Sequence, residues 1–142
     1  MSTVKTSTRK YAYSHTIGID DFSGRSFRNA IDLALGPEGR LYVLQRGVSM
    51  QRNLAVKMCN LDEEFFGDFG VYGTGKGEWI WPAGIAIDSQ QCLYVSDEWN
   101  QRISVFDSDG NFLEEWGESG DAPGQLDRPS GLTFDHDDNL LV

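Results

Sequence analysis

Two short segments rich in acidic side chains have the composition of a divalent-cation site. In Asp107–Asn111, carboxylate and amide side chains alternate with Ser and Gly, and Glu118 follows eleven residues after Asp107. Calcium-binding loops use such oxygen ligands, but they need Gly at the sixth position, where this sequence has Phe112. Asp135–Asn139 contains a histidine among three aspartates, at a point where the chain is expected to turn. We therefore predict two turns and no metal ligands.

Histidine is present at only two positions, His15 and His136, which lie far apart in the sequence. A zinc site needs several nitrogen, sulfur or oxygen ligands that converge on one point. Covalent catalysis needs a nucleophile, a base and a group that orients the base. Neither set occurs at a recognisable spacing. The sequence predicts no catalytic residue and no cofactor, and it disfavours an enzyme.

The elements that position these residues form a repeat. Pro82–Asp88 returns as Pro129–Asp135, 47 residues later. A looser copy lies upstream, where Phe27–Val43 matches Trp79–Val95 at an offset of 52 residues. The additional residues fall in the segment 46–52. A unit of this length cannot bury its own apolar faces, so it must stack on its neighbours.

Each unit contains four apolar runs of strand length, separated by segments rich in Asp, Asn, Ser and Gly. In the central unit the runs are 85–87, 93–95, 103–106 and 112–116. Gly84–Ile87 is apolar at consecutive positions, which indicates a sheet that is covered on both faces. These features predict an all-β fold, a partial β-propeller built from four-stranded antiparallel blades.

The complete unit resembles the NHL repeat of β-propellers. The resemblance rests on Pro-Ala-Gly-Ile-Ala-Ile-Asp at 82–88, Leu-Tyr-Val-Ser-Asp at 93–97, Asn-Gln-Arg-Ile at 100–103, Val-Phe-Asp at 105–107, Trp-Gly at 116–117 and Gly-Gln-Leu at 124–126. It extends over nearly everything after the first ten residues. The first copy departs from the pattern. It has Gly36 at the position equivalent to Asp88 and Gln45 at the position equivalent to Asp97. Members of the family typically have six blades, more than this chain can form.

The same stretch is similar to the amidating-lyase branch of six-bladed propellers, which holds a zinc ion with histidines. Those histidines are not matched, since Ala83 follows Pro82 and Ser130 follows Pro129. One alternative to a binding module is therefore a fragment of such an enzyme whose catalytic residues lie outside this segment. Another is a partial propeller that assembles with other copies through its open blade edges.

The domain organisation follows from the repeat. We predict a flexible polar tail at 1–10 and a propeller segment at 11–142. The segment is expected to comprise an outer strand at 11–19, blade one at 27–70, blade two at 82–117 and the start of blade three at 129–142. This amounts to about two and a half blades, so the chain is expected to be either truncated or completed by oligomerisation.

One face of the propeller is the candidate binding surface. The loop between the second and third strands of a blade emerges on the same side as the connection between blades. This geometry is expected to bring together Tyr72, Trp79, Trp81, Glu98, Trp99, Asn100, Arg46 and Arg52. Trp, Tyr and Arg supply most binding hot spots. Trp79 and Trp81 could instead fill the gap between blades, whereas Trp99 lies at a loop tip and is the preferred contact residue.

The charge of the chain disfavours nucleic acid as a partner. The formal net charge is −10, and a phosphate backbone is bound by clustered Lys and Arg. Arg46, Arg52, Arg102 and Arg128 could form a local basic patch. The favoured alternative is that Arg102 pairs with Asp97 and holds the blade turn, while the other arginines are solvated.

Two cysteines, Cys59 and Cys92, lie on different blades and favour free thiols in a reducing, cytoplasmic compartment. No signal peptide or membrane span is visible. The sequence thus predicts a non-catalytic binding or scaffolding module that contacts a protein or peptide through its loop face.

Overall fold

The first unit of the fold is a four-stranded sheet, which we call blade one. The computed structural model describes residues 9–18, 26–47 and 54–142. In blade one, consecutive strands pair antiparallel in the order in which they occur along the chain. They are β1 (Ala30–Leu35), β2 (Leu41–Gln45), β3 (Ala55–Cys59) and β4 (Phe65–Phe69). A single 3₁₀ turn, Pro37–Gly39, joins the first two strands.

A short connection leads to a second sheet of the same topology, which we call blade two. The connection contains a parallel pair, β5 (Val71–Tyr72) and β6 (Glu78–Trp79). The strands of blade two are β7 (Pro82–Ile87), β8 (Leu93–Asp97), β9 (Arg102–Phe106) and β10 (Phe112–Trp116). A final hairpin consists of β11 (Thr133–Phe134) and β12 (Leu140–Leu141). The prediction of an all-β partial propeller with four-stranded antiparallel blades is confirmed.

The amino-terminal segment differs from its expected form. An outer strand was expected at 11–19, yet residues 11–18 carry no strand, and residue 19 lies outside the described residues. A strand needs a hydrogen-bonded ladder, and here the contacts are isolated. His15 Nε2 lies 3.2 Å from the Leu61 carbonyl, and Ile17 packs against the cluster of Leu41, Val43 and Cys59. Of the expected tail at 1–10, only residues 9 and 10 are described.

The two acidic segments are hairpin turns, as predicted. In the first, the Asp107 carboxylate accepts the backbone N–H groups of Asp109 at 3.0 Å and Asn111 at 2.8 Å. Asp135 accepts the corresponding N–H groups in the last hairpin. The Asn111 side chain lowers the pKa of Asp107, because its hydrogen bond favours the charged form. These carboxylate oxygens are therefore used to close turns.

The apolar core lies between the two blades. Phe69, Trp79 and Phe106 form a cluster of rings in tilted and edge-on contacts, with centroids 4.9 to 6.0 Å apart. The core also includes the buried inward-facing side chains of blade one and blade two: Ala34, Tyr42, Leu44, Val56, Met58, Ile85, Leu93 and Val95. This packing explains the apolar runs in the sequence, since each sheet is covered by its neighbour. Among the described residues, no helix is long and apolar enough to cross a membrane.

Polar contacts fix the stacking of the units. Across the first junction, the Asp32 carboxylate of β1 accepts the Ile85 N–H of β7 at 2.9 Å. Across the second, the Ser96 hydroxyl donates to the Ser130 carbonyl. Gly84 occupies the position equivalent to Asp32, and a Cβ there would lie 2.3 Å from the Ser130 carbonyl oxygen. The backbone around Ser130 therefore lies too close to β7 to leave room for a side chain at residue 84.

The equivalent tyrosines of the two blades have different partners, because blade one lacks the turn carboxylate. In blade two, the Tyr94 hydroxyl donates to Asp88 Oδ2 at 3.2 Å. In blade one, Gly36 stands where Asp88 would be, and the Tyr42 hydroxyl donates to the Ser108 carbonyl of the next blade at 3.0 Å. The divergent first copy thus exchanges a bond within its blade for one between blades.

Tyr94 provides a test of this packing in alkaline solution. Burial, followed by the negative charge of Asp88, raises the pKa of Tyr94 from 10.0 to about 12. Because the folded-state pKa is raised, the stabilisation is fully present below pH 10.0 and is lost as the pH rises through about 12. We expect an ultraviolet titration to show one tyrosine that ionises near pH 12 and is absent from Tyr94→Phe. The packing is contradicted if the missing tyrosine is one that ionises near pH 10.

Candidate functional site

A buried carboxylate organises the loop face of blade two. Asp97, at the end of β8, has no solvent exposure. Its Oδ1 atom accepts the backbone N–H groups of Trp81 at 3.1 Å, Trp99 at 2.9 Å and Asn100 at 3.0 Å. Its Oδ2 atom accepts the Ile80 N–H at 2.7 Å. One side chain therefore joins the connection before β7 to the loop after β8.

Asn100 is part of this support. It was expected among the binding residues, but its Nδ2 atom donates to Asp97 Oδ2 at 2.9 Å and to the Gly73 carbonyl at 3.0 Å. The first bond fixes the loop on the end of β8, and the second holds it against the β5–β6 connection. Because the amide is directed to protein groups, we assign Asn100 to the support of the loop face.

Arg102 also has a structural role, although its partner differs from the predicted one. The sequence predicts a pair with Asp97, whereas the Arg102 guanidinium pairs with Glu115 at 3.2 Å. It also donates to the carbonyls of Gly75 and Glu78 in the connection between the blades. The carboxylate of Asp97 is already occupied by backbone N–H groups, which explains the correction.

Trp79 is corrected from a binding residue to a core residue. Its side chain has no solvent exposure, and its ring contacts Phe69 and Phe106 edge-on or at a tilt. The alternative that Trp79 fills the gap between blades is therefore right. Trp81, two residues later, is half-buried and reaches the surface.

A cleft of about 680 Å³ lies above this support. Its lining residues are Tyr72, Ile80, Trp81, Glu98, Trp99, Gln101 and Arg128. Four of the predicted residues meet here: Tyr72, Trp81, Glu98 and Trp99. The Trp99 side chain is 69% exposed, as expected for a contact residue at a loop tip. Most of the lining is aromatic or aliphatic, and the volume is in the range of ordinary ligand sites.

Three lining residues are missing from the predicted set. Ile80 reads as a core residue in the sequence because it lies between two tryptophans. Gln101 and Arg128 belong to different repeat units, and they meet because the Gln101 side-chain oxygen accepts the Arg128 backbone N–H at 2.5 Å. The repeat contained one signal that could have identified Gln101 and Arg128. It places the loop after the second strand of one blade on the same face as the connection that leads to the next blade.

The arginines at the loop face are engaged with protein groups. Arg46 stacks on Trp81, with its Cζ atom 4.0 Å from the ring centroid, and it donates to the Pro82 carbonyl at 3.4 Å. Arg128 pairs with Glu98 at 3.3 Å. Arg52 lies outside the described residues. Arg46 and Arg128 of the loop face therefore each have a protein partner.

In blade one, Gln45 occupies the position of Asp97. Its side-chain oxygen accepts the Arg28 N–H at 3.2 Å, and Arg28 is the repeat equivalent of Ile80. The amide thus retains the bond between the loop and the preceding connection. An amide has one acceptor oxygen where a carboxylate has two, so Gln45 is less suited to gather several N–H groups.

Comparison with known proteins agrees with this geometry. Residues 80–106 match the model of the NHL repeat, and this span runs from Ile80 through Asp97 to the end of β9. The chain therefore contains an NHL repeat at residues 80–106. The buried aspartate and the loop that it supports therefore lie inside the matched repeat.

Two relatives show the extent of the similarity. The chain is 42% identical over 64 residues to the RING finger protein nhl-1 of Caenorhabditis elegans, which covers 45% of this chain and 7% of that protein. It is 29% identical over 117 residues to human NHL repeat-containing protein 3, which covers 82% of this chain and 32% of that protein. The chain thus spans about a third or less of the relatives that it matches.

Among solved structures, hydrazine synthase from Kuenenia stuttgartiensis superposes with a TM-score of 0.55 at 17% identity. The superposition covers 91% of this chain and 31% of that one. At this level of identity the similarity concerns the fold alone, and it supports the propeller architecture.

Asp97→Ala tests the central role of the buried carboxylate. The substitution removes the acceptor of several buried N–H groups, so we expect a loss of about 3 kcal/mol or more in the free energy of unfolding, measured by urea titration. Asp109→Ala is the control, because Asp109 is exposed in a turn and its loss is expected to cost less than about 0.5 kcal/mol. Equal unfolding midpoints for the two variants would contradict the assignment.

Proposed function

We propose that this NHL-repeat segment is a non-catalytic binding module that engages a protein or peptide through the cleft on its loop face. The observation that carries the proposal is the exposure of Trp99 beside Trp81 and Tyr72 in a concave, mostly apolar surface. Large aromatic side chains in such positions are the usual anchors of protein recognition.

The support beneath the cleft favours the same function. The backbone at Ile80, Trp81 and Trp99 is fixed by bonds to Asp97, so the chain segments that carry these side chains are in place before a ligand arrives. A preorganised surface loses less conformational entropy on binding than a mobile one. A hydrogen-bonded backbone below and aromatic rings above, with Trp99 the most exposed of them, support the assignment of the cleft as a recognition surface.

The chemistry of the lining favours binding over catalysis. The titratable side chains of Glu98 and Arg128 are paired with each other, and the remaining lining residues are aromatic, aliphatic or amide. Within the part of the chain that the structure describes, no group of three or more His, Cys, Asp or Glu residues is placed to hold a metal ion. A binding role uses every lining residue without requiring a reactive group.

Trp99→Ala tests the proposal. We expect peptides selected on the wild-type chain from a random display library to lose about tenfold or more in affinity, because the variant lacks the exposed anchor. The thermal unfolding midpoint is expected to change little, since the side chain is mostly exposed.

Trp116→Ala is the matched control. Trp116 is 40% exposed on the outer strand β10 and does not line the cleft. The selected peptides are expected to bind this variant as they bind the wild-type chain. Selected peptides that bind Trp99→Ala at full strength would assign recognition to another surface.

A further inference from the structure

We propose that the cleft recognises an uncharged, proline-rich peptide segment in the polyproline II conformation. The inference rests on the proposed function and specifies the chemistry of its ligand. The charges, the hydrogen-bonding groups and the aromatic lining of the cleft support it.

Charge complementarity favours an uncharged ligand. The lining contains one carboxylate, Glu98, and one guanidinium, Arg128, and the two pair at 3.3 Å. The nearby guanidinium of Arg46 stacks on Trp81 and bonds to a backbone carbonyl. A basic or acidic side chain of a ligand would therefore meet an opposite charge that is already partly neutralised by its protein partner. The chain's formal net charge of −10 further opposes an acidic peptide at long range.

The hydrogen-bonding groups of the lining are mainly donors. Trp81 and Trp99 each carry an indole N–H, which donates and does not accept, and Tyr72 carries a hydroxyl. Within the described residues, none of these three side chains hydrogen-bonds to the protein. The Gln101 amide adds donor N–H groups to the lining, while its oxygen is occupied by the Arg128 N–H.

A proline-rich segment has the complementary arrangement. Proline has no backbone N–H, so such a segment offers carbonyl acceptors along its length and few donors. The polyproline II helix forms no internal hydrogen bonds, and its carbonyls remain available to indole and hydroxyl donors. An ordinary extended peptide would bring an N–H group for each carbonyl, whereas the Glu98 carboxylate and the Gln101 side-chain oxygen of the lining already accept from Arg128.

The aromatic lining of the cleft also agrees with this ligand. Its aromatic residues come from separate segments: Tyr72 from β5, Trp81 from the connection before β7 and Trp99 from the loop after β8. Aromatic-lined grooves dock polyproline II segments in several unrelated folds, because flat rings pack on proline rings and the ligand is already ordered. The support by Asp97 keeps this cleft in place before binding.

The test uses the full chain and three synthetic peptides. The first is a proline-only peptide of about nine residues, three turns of the polyproline II helix. The second and third replace every third proline with Glu or with Lys. Binding is measured by tryptophan fluorescence at low and high salt. We expect the proline-only peptide to bind most tightly, with an affinity that changes less than about twofold with salt.

Substitutions at Trp99 separate ring packing from hydrogen bonding. Trp99→Phe retains a ring and removes the indole N–H, and we expect it to lower the affinity for the proline-only peptide about fivefold, the value of one hydrogen bond. Trp99→Ala is expected to lower it about tenfold or more. Trp116→Phe and Trp116→Ala are the controls and are expected to bind as the wild-type chain does.

The outcomes distinguish the inference from the proposed function. If the acidic or basic peptide binds more tightly than the proline-only peptide, in a manner that depends on Trp99, the cleft is a binding site and the inferred ligand is wrong. Failure of the proline-only peptide to bind the wild-type chain also overturns the inference, and the display-selected peptides then report separately on the proposed function. Binding that is equal in wild type and Trp99→Ala places the peptide elsewhere and overturns the inference.

Discussion

The loop face of this protein depends on the burial of one negative charge. Placing the Asp97 carboxylate in the interior is costly unless hydrogen bonds replace its water. Here the replacement comes from backbone N–H groups of two chain segments, including those of Ile80, Trp81 and Trp99. The carboxylate can be satisfied only when both segments are in place. The connection and the loop therefore become ordered together, and the cleft above them is held by the same hydrogen bonds.

Comparison of the two repeat units shows that the support of the loop face differs between blades that share the same sheet topology. In both blades the end of the second strand is tied to the connection before the first strand, through Gln45 in blade one and Asp97 in blade two. The single acceptor oxygen of the Gln45 amide preserves the tie to the Arg28 N–H, whereas the two oxygens of the Asp97 carboxylate gather several N–H groups. A substitution that leaves the sheet unchanged can thus alter how firmly the loop face is held. The stacking of the blades and the construction of the cleft are separable properties.

Much of the architecture could be predicted from the sequence, because it depends on patterns that repeat. The offset of 47 residues, the apolar runs and the Asp-rich turns each specify local structure, and the observed strands follow them. The outer strand expected at 11–19 was not found over residues 11–18, since a ladder requires a partner strand that the pattern alone does not supply. Periodicity therefore predicts elements better than it predicts pairing.

The candidate site was predictable only in part, for a different reason. Trp79 and Trp81 are two residues apart in nearly identical surroundings, yet one is fully buried and the other borders the cleft. Their burial depends on which side of the connection faces Phe106. Trp79 makes that contact, and it joins residues that are distant in the sequence. Asp97 and Arg102 were expected to pair with each other, but Asp97 accepts backbone N–H groups and Arg102 pairs with Glu115. Opposite charges indicate an ion pair in a sequence, but a buried carboxylate that is surrounded by backbone N–H groups has no need of a cation.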